Sequence, residues 1–198
     1  QVRQLTHDLQ DTNQALRQSR DELKQLNTSD ILTSCGNRAA LFQRLKEECH
    51  RSRRTGEPLS CLTLDLDGLT EINDRFGHET GDLVLKRVAS AVRQRLRITD
   101  HFFRSGGDEF VVIATDCDRT AAEEMAIELR TLVSEMGLSN QQGQVPTSIS
   151  IGISSLTGKD QKPESLLARS DAALRVARQQ AISGIATEQD IPRPKQPG

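Results

Sequence analysis

The sequence lacks several features that would assign it to a common class of protein. Its 26 basic residues are balanced by 28 acidic ones, so no excess of positive charge indicates nucleic-acid binding. The four cysteines include no CxxC pair, and we therefore predict neither a zinc site nor a disulfide framework. No apolar run approaches the length of a membrane span, and no signal-peptide pattern stands at the start. We expect a protein of the reducing cytoplasm without direct membrane contact.

The residues that are present suffice for one ordinary domain and an appendage. The 198 residues are 35% hydrophobic and 27% charged, which is typical of a globular protein. The chain begins with Gln1 rather than Met, so we expect a fragment or a processed product. We divide it into a stem, residues 1–29, a main domain, residues 30–186, and a disordered, Pro-rich tail, residues 187–198.

The stem is predicted to be a long helix that precedes the main domain. It has no Gly or Pro before Thr28, and Val2, Leu9, Leu16 and Leu23 share one position of a heptad pattern. The second apolar position of the heptad is interrupted twice by polar residues. This pattern predicts a coiled coil that joins two copies of the chain. The alternative is an amphipathic helix that folds back on its own domain.

From residue 30 onwards, predicted helices alternate with predicted strands. The strands lie in "LSCLTLDLDG", in "HFF" and "EFVVIA", and in "VPTSISIGISS", with Gly106 and Gly107 as a two-residue hairpin turn. Hairpin strands interleaved with crossover helices predict an α/β (α+β) fold: a mixed central sheet flanked by helices, as in polymerase palms and nucleotidyl cyclases. Helices are predicted over residues 37–54, 119–137 and 163–181, and within 69–97 as a short helix, a loop around Gly77 to Gly81, and a longer helix.

Acidic residues cluster at the ends of two predicted strands. Side chains alternate along "LTLDLDG", so Asp65 and Asp67 lie on one face, and pairing with the hairpin brings Asp108 and Glu109 near the same edge. Such carboxylates repel unless a cation joins them, and a set with few protein ligands suits Mg²⁺. The site would serve phosphoryl or nucleotidyl transfer. The alternative is that these acids belong to turns and strand ends, where Asp is common.

Four segments of the chain carry motifs whose order and spacing can be compared with those of known families. They are "DILTSCGNRAALFQRL", "DLDGLTEINDRFGHETGDLVL", "SGGDEF" followed by "VVIA", and "SISIGIS". Together they resemble, in order and spacing, the GGDEF family, the diguanylate cyclases that make cyclic di-GMP from two GTP molecules. The resemblance covers about residues 30 to 182 and implies a cyclase that needs Mg²⁺ or Mn²⁺.

The resemblance implies a catalytic centre around the hairpin. Glu109 would either bind a second metal or help to deprotonate the attacking 3′-hydroxyl. Gly106 and Gly107 would form a turn that leaves room for GTP near the backbone. The implied metal ligands are Asp65, the backbone carbonyl of Leu66, Asp108 and Glu109.

Substrate-binding residues are implied on either side of that centre. Asn73 and Asp82 match the family's guanine-reading pair, since an amide and a carboxylate can bond the carbonyl and amino edge of guanine. His78 lies in the same predicted loop and would contact substrate; without the family, capping and turn formation explain these three residues better. Arg178 would neutralise the triphosphate, but Ile182 stands where the family usually has a phosphate-binding Arg.

The resemblance also implies assembly and feedback. Because the reaction joins two GTP molecules and one domain of this family holds one, the enzyme would be a homodimer, brought together by residues 1–29. "RITD" matches the family's RxxD inhibitory site, at which Arg97 and Asp100 would bind cyclic di-GMP. Alternative functions are a non-catalytic receptor for cyclic di-GMP or GTP, and a dimerisation element for an enzyme elsewhere in a longer chain.

Overall fold

The computed structural model describes residues 28–140, 143–158, 160, 162–179 and 184–192. The predicted coiled coil therefore lies outside the described residues, apart from Thr28 and Ser29. These two belong to a turn that leads into the domain, in which Ser29 bridges to Gly36 and the Asn37 amide donates to the Thr28 carbonyl at 2.9 Å. Among the described residues, no helix is both long and apolar enough to cross a membrane.

The described strands are β1 (Leu59–Leu66), β2 (His101–Gly106), β3 (Glu109–Thr115), β4 (Ser139–Asn140), β5 (Gly143–Gln144), β6 (Ile149–Ser155) and β7 (Ile185–Thr187). Five of them form a mixed sheet in the order β2-β3-β1-β6-β7, and β4 pairs with β5 separately. The central strand β1 is antiparallel to β3 and β6, whereas β7 runs parallel to β6. Every residue of β1 is buried, as expected for a strand covered on both faces.

The described helices are α1 (Arg38–Thr55), α2 (Leu69–Phe76), α3 (His78–Arg95), α4 (Arg119–Ser134) and α5 (Pro163–Gln179). These helices pack against the sheet in two groups, each with its own apolar cluster. Leu62, Leu64 and Leu66 of β1 pack in a cluster with α2, α3 and α4. Cys61 packs in the other cluster with residues of α1 and α5. The sheet thus lies between two helical layers, which confirms the predicted mixed sheet flanked by helices.

The hairpin and the α2–α3 connection differ from the sequence prediction. The two hairpin loop residues are Gly107 and Asp108, because Gly106 still pairs with Glu109 in the ladder. The loop predicted around Gly77 to Gly81 is a single break at Gly77, whose φ of 87° is in the region that favours glycine. His78 therefore begins α3 instead of lying in a loop.

The last part of the domain also differs from the prediction. β7 was not predicted, because three residues are too few for strand alternation to stand out. The chain remains bonded to β6 after β7 ends, because the Glu188 amide donates to the Ile153 carbonyl at 2.9 Å. Residues 187–192 are thus attached to the sheet rather than forming a disordered tail, and residues 193–198 lie outside the described residues.

Candidate active site

The end of β1 places Asp65 beside the predicted hairpin acid. In the ladder, Asp65 lies opposite Glu109 on β3 and opposite Ser150 on β6, so the three side chains share one face of the sheet. Asp65 is 4% exposed, whereas Glu109 is exposed. The strand pairing therefore combines one buried and one accessible carboxylate at the same edge.

The hairpin turn lies next to this edge. The Leu66 amide donates to the Asp108 carbonyl at 3.2 Å, which joins the end of β1 to the turn. Gly106 has a φ of 155° and Gly107 a φ of 51°, and both values favour glycine. Among the described atoms, none beyond the chain neighbours lies within 4 Å of a Cβ added at either glycine. The turn therefore offers open backbone to a ligand.

The Arg104 guanidinium fixes the hairpin turn through hydrogen bonds. Its Nε and Nη2 donate to the Gly107 carbonyl at 2.9 and 2.5 Å, and its Nη1 donates to Asp30 at 3.2 Å. Asp30 also accepts from the amide and hydroxyl of Thr33. Burial acts to raise the pKa of Asp30, but these bonds and Arg104 hold it below its ordinary value. A charged bridge thus connects the turn before α1 to the hairpin.

The predicted guanine-reading residues lie on two successive helices. Asn73 is on α2, and a Cβ at Gly81 of α3 would lie 1.9 Å from its Oδ1, so only glycine at position 81 admits the amide there. Asp82 follows Gly81 and is exposed. His78, also exposed, lies one helical turn before Asp82 on the same face. The structure therefore brings Asn73 next to the helix that carries His78 and Asp82.

Arg178 does not stand free beside the site. It forms an ion pair with Asp65, across the interface between α5 and β1. The helix comes very close to the sheet at Gly152, where a Cβ would lie 2.1 Å from the Ser170 carbonyl oxygen and the Leu174 nitrogen. This close approach lets Arg178 reach the buried carboxylate. Ile182, the family departure identified in the sequence, lies outside the described residues.

Two further acids near Asp65 make structural contacts. Asp67 accepts from the hydroxyls of Ser148 and Ser150, each at 2.7 Å, which ties the end of β1 to β6. Asp171 of α5 accepts from the Thr63 hydroxyl at 2.9 Å, and burial raises the pKa of Asp171. For Asp67, the interpretation as a strand-end residue therefore explains the contacts better than metal binding.

The residues at this edge fit a hard divalent cation. Oδ2 of Asp65 is buried, and the Arg178 guanidinium is paired with it. The described part of the chain contains no cluster of three or more His, Cys, Asp or Glu side chains arranged as a complete metal site. Mg²⁺ does not require one, because it usually takes one or two carboxylates and completes its shell with water and substrate phosphates. Asp65 and Glu109 meet that requirement.

The RxxD residues lie at the turn between α3 and β2. Oδ2 of Asp100 accepts from the Arg97 amide at 3.0 Å, and Oδ1 accepts from the Thr115 amide at 3.3 Å. Arg97 is exposed, and Ile98 between them is fully exposed. Asp100 therefore stabilises the turn through these hydrogen bonds, whereas the Arg97 side chain is exposed at the surface.

Comparison with known proteins identifies the family. The family model "Diguanylate cyclase, GGDEF domain" matches residues 27–183. The chain belongs to the GGDEF family. Diguanylate cyclase DosC of Escherichia coli is 37% identical over 150 residues, which are 75% of this chain and 32% of that protein. This GGDEF chain thus spans about a third of that relative's length.

Solved GGDEF structures have the same fold. The GGDEF domain of DgcB from Caulobacter crescentus, in complex with c-di-GMP, is 26% identical with a TM-score of 0.78, covering 82% of this chain and 96% of that one. The active GGEEF domain of a diguanylate cyclase from Vibrio cholerae is 27% identical with a TM-score of 0.73, covering 81% and 99%. The palm-like fold predicted from the sequence is therefore confirmed.

Sequence reasoning missed two contacts of this GGDEF site. Asp30 and Arg104 are 74 residues apart, and no local pattern pairs them. Arg178 was identified only as a phosphate ligand, because nothing in the α5 segment indicates that its nearest charge is Asp65. The signals that were available, an acid in "DILT" and an Arg directly before "SGGDEF", become meaningful only once both chain segments are placed together.

Proposed function

We propose that this domain is a diguanylate cyclase, which condenses two GTP molecules into cyclic di-GMP and releases pyrophosphate. The observation that carries the proposal is the pairing of Asp65 with Glu109 at the strand ends, beside an open hairpin turn at Gly107. Membership of the GGDEF family supports the reaction type.

The catalytic centre would use one buried and two hairpin acids. Mg²⁺ or Mn²⁺ would be held by Asp65, the Leu66 carbonyl, Asp108 and Glu109, and when bound would neutralise phosphate charge. Glu109, which is exposed, can accept the proton of an attacking 3′-hydroxyl. Gly106 and Gly107 leave the backbone accessible to the nucleotide.

The substrate would lie between the hairpin and the α2–α3 pair. Asn73 and Asp82 would bond the guanine edge, with His78 at the same helix face. Arg178 would bind the triphosphate as a planar, bidentate donor. These assignments give each GGDEF domain one GTP, so the reaction needs two domains with their sites facing each other.

The need for two facing domains implies a dimer, and inhibition by the product is a separate part of the proposal. We propose residues 1–29 as the dimerising stem, residues 30–192 as the cyclase domain of a cytoplasmic protein, with residues 187–192 included because this segment is bonded to β6, and residues 193–198 as a tail. Cyclic di-GMP would bind at Arg97 and Asp100 and inhibit its own synthesis. Polar replacement of Leu9, Leu16 and Leu23 should lower both the fraction of dimer and the cyclase activity. A monomeric mass for wild type and variant, together with equal activities, would contradict this assembly.

The test of the reaction is direct. The purified chain is incubated with GTP and Mg²⁺, and cyclic di-GMP is measured by chromatography. Asp108→Asn should lower the rate at least about 100-fold, because metal stabilisation of charge contributes several kcal/mol. Asp116→Asn is the matched control, since Asp116 follows β3 at its other end and should leave the rate unchanged. No product from wild type, or equal rates in the two variants, contradicts the proposal.

A second candidate is a receptor that binds cyclic di-GMP or GTP without turnover. The ion pair between Arg178 and Asp65 favours it, because it occupies an acid that catalysis needs. The receptor predicts tight binding of cyclic di-GMP, lost in Arg97→Ala, with no product from GTP. Product formation by wild type excludes the receptor as the sole function.

A further inference from the structure

The negative charge of Asp65 is balanced by a protein cation. Asp65 is buried, and its Oδ2 faces the guanidinium of Arg178 on α5. Glu109 lies opposite Asp65 in the ladder and adds a second negative charge at this edge. A buried carboxylate without a cation is costly, so Asp65 needs Arg178 until another cation replaces it.

A divalent ion and the guanidinium compete for the same oxygen. Both carry positive charge, and two cations against one carboxylate oxygen repel each other. The backbone of α5 cannot easily withdraw to relieve this, because the helix is packed directly on Gly152 and Asp171 is bonded to Thr63. Release of Asp65 therefore depends on rotation of the Arg178 side chain.

The Arg178 side chain can make that rotation. It is 44% exposed, so its guanidinium extends from the buried carboxylate to solvent. A triphosphate offers several oxygens at higher charge than one carboxylate, and guanidinium groups bind phosphate in bidentate fashion. A nucleotide in the site would therefore draw Arg178 away from Asp65.

We propose that Arg178 makes metal binding at Asp65 depend on the nucleotide. Without nucleotide, the guanidinium neutralises Asp65 and excludes the metal ion; with nucleotide, the triphosphate takes the guanidinium and the carboxylate becomes available. The metal then enters with the nucleotide rather than before it. This inference rests on the proposed function, because it places the triphosphate beside Arg178.

The test measures Mn²⁺ binding without nucleotide, from the electron paramagnetic resonance signal of the free ion. Arg178→Ala should bind Mn²⁺ at least about fivefold more tightly than wild type, the lower end of typical coupling between sites. Arg178→Gln is a second variant in case Ala destabilises the domain. Arg175→Ala is the matched control: it removes the same charge from exposed α5 surface three residues earlier and should change the affinity less than about twofold.

Adding Asp65→Asn to Arg178→Ala identifies the site. It should abolish the gained Mn²⁺ affinity, because the carboxylate that Arg178 releases is no longer there. The proposal is overturned if neither Arg178 variant binds more tightly, if Arg175→Ala gains as much, if the gain survives Asp65→Asn, or if no variant binds Mn²⁺. Cyclic di-GMP formation is measured separately, so a protein that shows the expected Mn²⁺ pattern without product contradicts the reaction alone.

Discussion

The two faces of the central sheet bury different kinds of side chain near the site. Under α2, α3 and α4, β1 presents Leu62, Leu64 and Leu66 to an apolar cluster. On the side of α5, the same strand presents Thr63 to the Ser170 hydroxyl and the Asp171 carboxylate, and Asp65 to the Arg178 guanidinium. At the end of β1, alternation thus separates an apolar face that mainly stabilises the fold from a face that positions charge. Substitutions on the two faces should therefore have different consequences.

The largest effect is expected on the apolar face. Leu64→Ala removes a side chain that is 1% exposed, and should lower the free energy of unfolding by about 2–5 kcal/mol. Urea denaturation measures the loss. Leu83→Ala is the control, because Leu83 is 47% exposed and should cost about 0.5 kcal/mol or less. Equal losses would show that the Leu64 face does not carry the stability.

The polar face should respond to added volume. Gly152→Ala places a Cβ 2.1 Å from backbone atoms of α5, so the helix must shift, at a cost of about 1–3 kcal/mol. The shift also displaces Arg178 from the position in which it would bind the triphosphate, so cyclase activity should fall even at temperatures where the variant is folded. Gly158→Ala is the control, since its Cβ would meet no described atom within 4 Å. Loss of stability with full activity would separate helix packing from the site.

Arg104 provides a smaller effect that concerns the hairpin alone. Lys at this position keeps the charge but cannot donate twice to the Gly107 carbonyl while contacting Asp30. We expect kcat to fall about tenfold, equivalent to about 1.4 kcal/mol, with KM nearly unchanged, because Arg104 positions the turn without touching substrate. Arg95→Lys, which alters an exposed ion pair with Glu128, should change neither constant. A rise in KM alone would contradict a positioning role.

The comparison of faces also explains what the sequence could predict. Alternation along β1 and the hairpin pattern are local, so they correctly brought Asp65 and Glu109 to one edge. The partner of Arg178 depends on how closely α5 approaches β6 at Gly152, which no local pattern encodes. A longer loop was predicted at Gly77 because Gly81 also suggested a turn. Gly81 instead lies within α3, where the absence of a Cβ leaves room for the Asn73 side chain.

The smallest effect is a pH dependence on the polar face. Burial raises the pKa of Asp171 above its ordinary value of 3.8, although Thr63, Arg175 and Arg38 act to lower it. The folded state therefore binds this proton more tightly than the unfolded state does, and the resulting stability is lost as pH rises through the folded pKa. Asp171→Asn removes this loss, so its unfolding free energy relative to wild type should increase from pH 3.8 towards neutrality.

Asp160 supplies the opposite case for the same measurement. Burial acts to raise the pKa of Asp160, but hydrogen bonds from Arg169 and Thr157 hold it below its ordinary value. Its contribution to stability is therefore present at neutral pH and lost as pH falls, so Asp160→Asn should be destabilised most at neutral pH. Denaturation curves of both variants across this pH range should diverge in opposite directions from wild type. If both variants shift in the same direction, burial does not raise the pKa of Asp171. Ionisation of this carboxylate then does not lower the free energy of unfolding.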